Sequence, residues 1–331
     1  MKRLFYKIFL FSTLIILILS CSSTRSLRSE VKKIPAKNYE NYSFSPNTKI
    51  DERIGNSDAI VLNWLRELDS NESYTFYELK NEERTQVKEY IKLLPKYYQS
   101  VLEKKLLGIY FINDFYGSGM SDYVISESND IYTILVFNPK VFKQSLSELV
   151  TYKENTCYKQ NNDQIQLNIQ ISDEYSGLFY ILMHECTHII DYCERITPFV
   201  EPNIQELQRK KKEPSPFTEE YWTAYNKIKL KRNIEYKDKL NFYTKENDKK
   251  IEKSELLLVY NELKNTPFAS LYSYINWAED FAEYATFYYF TQVLNMEYNI
   301  KITENNELIF EYEPFANINV LERAKKLEIF D

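Results

Sequence analysis

Two histidines, His184 and His188, stand four residues apart in the segment HECTH, and the chain has no others. On an α-helix such a pair projects from one face, about one turn apart. Two imidazoles so placed reach a single zinc ion, and a glutamate directly after the first, here Glu185, suits the general base of a metallopeptidase. The segment falls near the end of a helical run expected over 173–192. A catalytic zinc takes three protein ligands and keeps a fourth position for water. With no third histidine, the remaining ligand must be another kind of side chain.

Three carboxylates compete for that place. Asp191 shares the ligand face, roughly 20° from His184 around the helix, but the next turn carries it away from the metal. A supporting or capping role suits it better. Glu194 stands where HExxHxxGxxH proteins carry their last histidine, yet Asp191 replaces the glycine at which those chains turn. On a straight helix Glu194 is about 280° from His184. Glu279 lies in SLYSYINWAEDFAEY (270–284).

This last segment resembles the second zinc-binding segment of the gluzincin metallopeptidases, in particular the catalytic domain of anthrax lethal factor and its bacterial relatives. The resemblance spans residues 105–297 and is carried by two short motifs. It implies that Glu279 completes the zinc site with His184 and His188. It also implies that Tyr272 faces the metal across the cleft and donates to the developing oxyanion, with Tyr274 in reserve. Glu283, one turn beyond Glu279 on the same face, then orients a ligating imidazole through its other N–H. Ninety residues separate His188 from Glu279, more than these enzymes usually have, so an extra charged helical segment, 195–265, is expected to loop out. The implied chemistry is hydrolysis of a peptide or protein. Zn²⁺ lowers the pKa of its water towards roughly 7, and Glu185 takes the water's proton and returns it to the leaving amine.

The elements that must position these residues follow from periodicity. Helices are expected from Ser57 (with Ile60, Val61, Trp64, Leu65 and Leu68 on one face), over 79–93, and from Pro95 to Leu107. Three β-like runs follow at 109–113, 131–137 and 165–171, the last alternating cleanly. After the HECTH helix come a helical pattern over 219–231, helices over 254–264 and 278–294, a strand or hairpin near 308–312 and a short C-terminal helix. Helices, a small mixed sheet, then the HECTH helix give an α+β order. The resemblance makes that fold zincin-like, with a mostly helical C-terminal lobe and a sheet edge able to pair with an extended peptide.

Composition narrows the function classes. The 331 residues, 44% hydrophobic and 27% charged, suffice for a sizeable core. A net charge of −6 argues against nucleic acid as partner. GSGM at 117–120 lacks the lysine and hydroxyl of a phosphate loop. The 29 tyrosines read as a compositional habit rather than a binding stripe.

The N-terminus reads as an address. Lys2, Arg3 and Lys7 precede an apolar stretch over 8–19, followed by Ser20 and Cys21. ILSC resembles the lipobox of bacterial lipoproteins, which implies removal of residues 1–20 and lipidation of Cys21. The protein is then exported and lipid-anchored at the outer membrane or cell surface. Residues 21–50 read as a polar tether, leaving 51–331 as the metallopeptidase domain. Cys186 and Cys193 share the apolar face of the HECTH helix and are too far apart to bond each other. Either is free to pair with Cys157 in an oxidising compartment. The rival function is a surface lipoprotein that binds a partner and keeps zinc only as structure; a purely structural site has no need of Glu185.

Overall fold

The computed structural model describes residues 31–327, apart from positions 32, 46, 129, 163, 199–214 and 231–233. Helices α1 (Ala59–Asp69), α2 (Asn81–Leu93) and α3 (Lys96–Lys105) bury the faces that periodicity assigns to them. Val61 and Leu65 of α1 are fully enclosed, as are Val87 of α2 and Tyr98 and Leu102 of α3.

Strands β1 (Thr75–Phe76), β2 (Leu106–Asn113), β3 (Gly119–Ile125) and β4 (Ile131–Phe137) form a mixed sheet in the order β1-β2-β4-β3. β2 and β4 run parallel, and β3 lies antiparallel to β4 at the edge. β2 is apolar along its length because both faces of the sheet are covered. Ile109 and Phe111 enter the main core, while Leu107, Tyr110 and Ile112 enter a second core with Val61 and Leu65 of α1. β3 escapes a periodicity search because Ser121 and Asp122 interrupt its apolar residues.

Helix α4 (Leu146–Asn155) begins with a capping box: Ser145 Oγ accepts from the Glu148 N–H, and the Glu148 carboxylate accepts from the Ser145 N–H. The third apolar run, β5 (Ile165–Gln170), does not join the first sheet. Helix α5 (Gly177–Glu194) carries HECTH and packs on α4, on β3 and on the later helix that brings Glu279.

Two expectations from the sequence need correction. The stretch expected as a helix over 219–231 is not helical in its described part, 219–230: it turns into a small hairpin of β6 (Trp222–Ala224) and β7 (Lys227–Ile228). Its aromatic spacing reflects docking instead, since Trp222 Nε1 donates to Asp280 Oδ2 at 2.8 Å and Tyr225 packs edge-on against Trp277. Within 195–265 the described residues are mostly turns and short 3₁₀ segments, and the one α-helix is α6 (Leu256–Lys264) at its end. The basic run 208–214 lies outside the described residues.

The second correction concerns the tether. From Pro35 onward the chain forms 3₁₀ turns packed on the body, with Ala36 and Tyr42 buried. Lys37 is buried against Asp122 of β3, and Asn38 bridges to Ile125 at the end of the same strand. Arg53 reaches the carbonyl oxygens of Leu102, Glu103 and Leu106, where α3 ends. Residues 1–30, including the segment read as a signal and Cys21, lie outside the described residues.

Helix α7 (Trp277–Tyr288) runs on into a π turn, Tyr289–Val293, matching the expected 278–294. β8 (Asn299–Glu304) and β9 (Glu307–Tyr312) form the expected hairpin, and β8 pairs antiparallel with β5 in a separate three-stranded sheet. The hairpin turns at Asn305 and Asn306, both with positive φ, a backbone region that asparagine tolerates better than most residues. Helix α8 (Ile318–Leu321) leads to Arg323, which is fully buried and pairs with both oxygens of Asp280 at 2.9 and 2.6 Å. This pair locks the segment around Arg323 onto α7, and four aromatic rings surround the guanidinium.

Candidate metal centre

The helical spacing of His184 and His188 brings their rings to 4.9 Å centroid separation on one face of α5. Both side chains are largely buried, at 5% and 12% exposure. Glu279 meets them from α7, whose first turn is fixed by Asn276: its Oδ1 accepts from the N–H groups of Ala278 and Glu279, both at 2.9 Å. A cap of this kind, with a carboxylate in the first turn, is favoured by the unsatisfied N–H groups and dipole of the helix start. Glu279 Oε2 lies 3.2 Å from His184 Nε2 and 3.4 Å from His188 Nε2.

These separations suit a metal. Around a tetrahedral zinc with ligands roughly 2.0–2.2 Å away, neighbouring donor atoms stand about 3.3–3.6 Å apart. Among the described residues, His184, His188 and Glu279 form one group able to hold an ion, their ligand atoms all within 4.8 Å of one another. Two imidazole nitrogens and a carboxylate oxygen are a donor set that zinc accepts.

Electrostatics bind the three together without an ion as well. Burial disfavours the His184 cation, but the Glu279 and Glu283 carboxylates outweigh it and hold the ring's pKa up at about 10. His188 is raised by Glu279 against the same burial. Burial works to raise the Glu279 carboxyl, yet the two imidazoles pull it well below the usual range.

The other sequence candidates fall into distinct places. Glu185 is buried beside the pair, and Ser121 Oγ of β3 donates to its Oε2 at 2.8 Å. Gly119 lets β3 approach α5 this closely, because a Cβ there would meet Ile181 Cγ1 at 2.8 Å and Phe137 Cδ1 at 2.7 Å. Tyr272 stands across from His184, ring centroids 6.1 Å apart, and burial pushes its hydroxyl pKa well up, so it remains a proton donor. Tyr274 is enclosed in the core with its hydroxyl 3.3 Å from Thr266 Oγ1 and does not face the pair. Glu283 Oε1 lies 3.1 Å from His184 Nδ1, at hydrogen-bond distance though with the N–H bent off the line.

Asp191 turns away from the imidazoles and caps the chain after α5, its two oxygens accepting from the Thr197 N–H and Oγ1, both at 2.6 Å. Glu194 is exposed, beside Tyr97, and takes no part. Cys157, Cys186 and Cys193 are free thiols, so neither of the two pairings left open for Cys157 is formed.

Several residues at the centre carry no sequence signal. Lys153 of α4 is buried, donates to Glu283 Oε2 at 2.5 Å and to the Tyr180 hydroxyl at 2.7 Å, and lies 4.7 Å over the Tyr272 ring. A cavity of about 180 Å³ opens beside the pair, walled by Tyr116, Tyr180, Tyr243 and Tyr272, with His184 and Glu185 at its side. Tyrosines read from composition as filler thus wall the site. Compared with known proteins, the chain matches no family profile, no curated protein and no solved structure.

Proposed function

We propose that this protein is a zinc-dependent endopeptidase of the gluzincin type, with a zincin-like arrangement of β3, α5 and α7. One observation carries the reading: His184, one donor of a three-donor metal group, lines the same cavity as the buried Glu185 and as Tyr272. A structural zinc site closes with four protein ligands, whereas three donors beside a cavity suit a catalytic one.

His184, His188 and Glu279 hold the ion, which when bound supplies Lewis acidity and lowers the pKa of water. Glu185, kept in place by Ser121, accepts the proton of the attacking water and passes it to the leaving amine. Tyr272, protonated at neutral pH, donates to the oxyanion as it develops. β3, which carries Ser121 beside Glu185, is the last strand of its sheet among the described residues, and such an edge suits pairing with an extended peptide. We further propose that the chain is exported and anchored through a lipid on Cys21, so that substrates are peptides or proteins met outside the cytoplasm.

The test is direct. Purified protein should contain one zinc per chain and cleave an unstructured protein substrate, stop on chelation and resume with added zinc. Zinc-replete protein that leaves such substrates intact refutes the peptidase reading.

A further inference from the structure

We propose that Lys153 is a positioning residue for the metal centre: it holds the Glu283 carboxylate so that one oxygen faces His184. The inference rests on the metal site proposed above but not on peptide hydrolysis. Lys153 lies in the last turn of α4 and is 2% exposed. A lysine is almost never so buried unless paired. Its ammonium meets Glu283 Oε2 at 2.5 Å and the Tyr180 hydroxyl at 2.7 Å, with Glu154 Oε1 at 3.7 Å.

The two oxygens of Glu283 have different partners. Oε2 accepts from Lys153 and from Ser270 Oγ, the latter at 2.6 Å. Oε1 accepts from the Tyr180 hydroxyl and lies 3.1 Å from His184 Nδ1. A carboxylate turns easily about its terminal bond, an sp³–sp² torsion with broad wells. Pinning Oε2 therefore decides where Oε1 points. Of the two groups on Oε2, the ammonium is the stronger clamp, because it sets a full positive charge against the buried carboxylate, whereas the Ser270 hydroxyl is a neutral donor. Lys153 thus reaches His184 through Glu283 without touching a metal ligand, linking α4 to α7 and α5.

The test reads zinc binding rather than turnover. Chelator-stripped wild type, Lys153→Met, Glu283→Gln and the double variant are titrated with zinc against a competing chelator. Their cobalt(II) forms are compared by visible absorption, which reports ligand geometry. Losing a partner behind a ligating histidine weakens metal binding about 10- to 100-fold. Lys153→Met is expected at the low end, about tenfold, with a shifted cobalt band. Because Lys153 acts through Glu283, the double variant should bind zinc no more weakly than Glu283→Gln alone. Losses that multiply in the double variant overturn the inference, and so does a Lys153→Met protein with wild-type affinity and cobalt spectrum. If Lys153→Met lacks a cooperative thermal transition, the double variant against Glu283→Gln decides: equal affinities support the inference, and a further tenfold loss refutes it. Wild-type protein that takes up no zinc overturns this inference together with the metal site. Wild type that binds zinc yet cleaves nothing overturns the proposed activity alone.

Discussion

Zinc binding at pH 7.5 is predicted to expel close to one proton from His184, and Glu279→Gln is predicted to remove both the tight binding and the proton. In the metal-free protein Glu279 Oε2 sits 3.2 Å from His184 Nε2, and together with Glu283 it holds the ring's pKa at about 10. The ring is therefore almost wholly protonated at pH 7.5, and a metal must displace that proton to use Nε2. The displacement costs about 3–4 kcal/mol at this pH, taking roughly 1.4 kcal/mol per pH unit between pH 7.5 and a pKa of about 10. Apparent zinc affinity should accordingly rise about tenfold per pH unit from pH ~7 to ~9, then level off as the pKa is approached. His188, raised in the same direction, adds to the release. In Glu279→Gln the amide no longer favours the imidazolium, so proton release falls while the loss of a charged ligand weakens binding. Isothermal titration of chelator-stripped protein in buffers of different ionisation enthalpy counts the protons, and a competing chelator supplies the affinity. Wild type that binds zinc without releasing protons, or Glu279→Gln that matches wild type in both measurements, refutes the assignment of Glu279.

Glu185→Gln should keep zinc and lose peptide hydrolysis by at least ~10²-fold, whereas Tyr272→Phe should keep zinc and lose mainly kcat, by about 2.7–4 kcal/mol of transition-state stabilisation. Loss of metal from either variant removes that residue from its assigned role. Metal-free stability should depend on pH through His184, whose folded pKa of about 10 stands above the unfolded value near 6.5. The stabilisation is fully present below pH ~6.5 and is lost as pH rises through about 10; urea unfolding in chelator should show stability falling over that window. Asp280→Asn leaves the fully buried Arg323 guanidinium without its charged partner, and unfolding free energy should drop by about 3–5 kcal/mol. A shift under ~1 kcal/mol in chemical denaturation contradicts the locking role given to that pair. Intact mass of the membrane fraction should show residues 1–20 removed and acyl mass on Cys21; an unmodified N-terminus there rules out the anchor.

The parts of this protein legible in its sequence are those set by short-range geometry. A spacing of four on a helix places His184 and His188 together whatever surrounds them, and α5 carries them as that spacing requires. The same reasoning separates Glu194 from the pair and sets Glu283 one turn beyond Glu279 on α7. Periodicity likewise finds β2, β4 and most helices, because apolar faces must be buried against something. Which partner buries them is another matter. β5 pairs with a hairpin that begins at Asn299, far later in the chain, rather than with the first sheet. Trp222 and Tyr225 mimic a helical stripe because Asp280 and Trp277 receive them, not because their backbone coils. Lys37 leaves the expected tether because Asp122 offers it a buried carboxylate. Lys153 and Ser121 reach the candidate metal centre only through contacts between segments far apart in the chain. Such contacts leave no local periodicity to read. A buried charge is tolerable only where the fold completes its hydrogen bonds and ion pairs, and that completion is decided by tertiary packing alone.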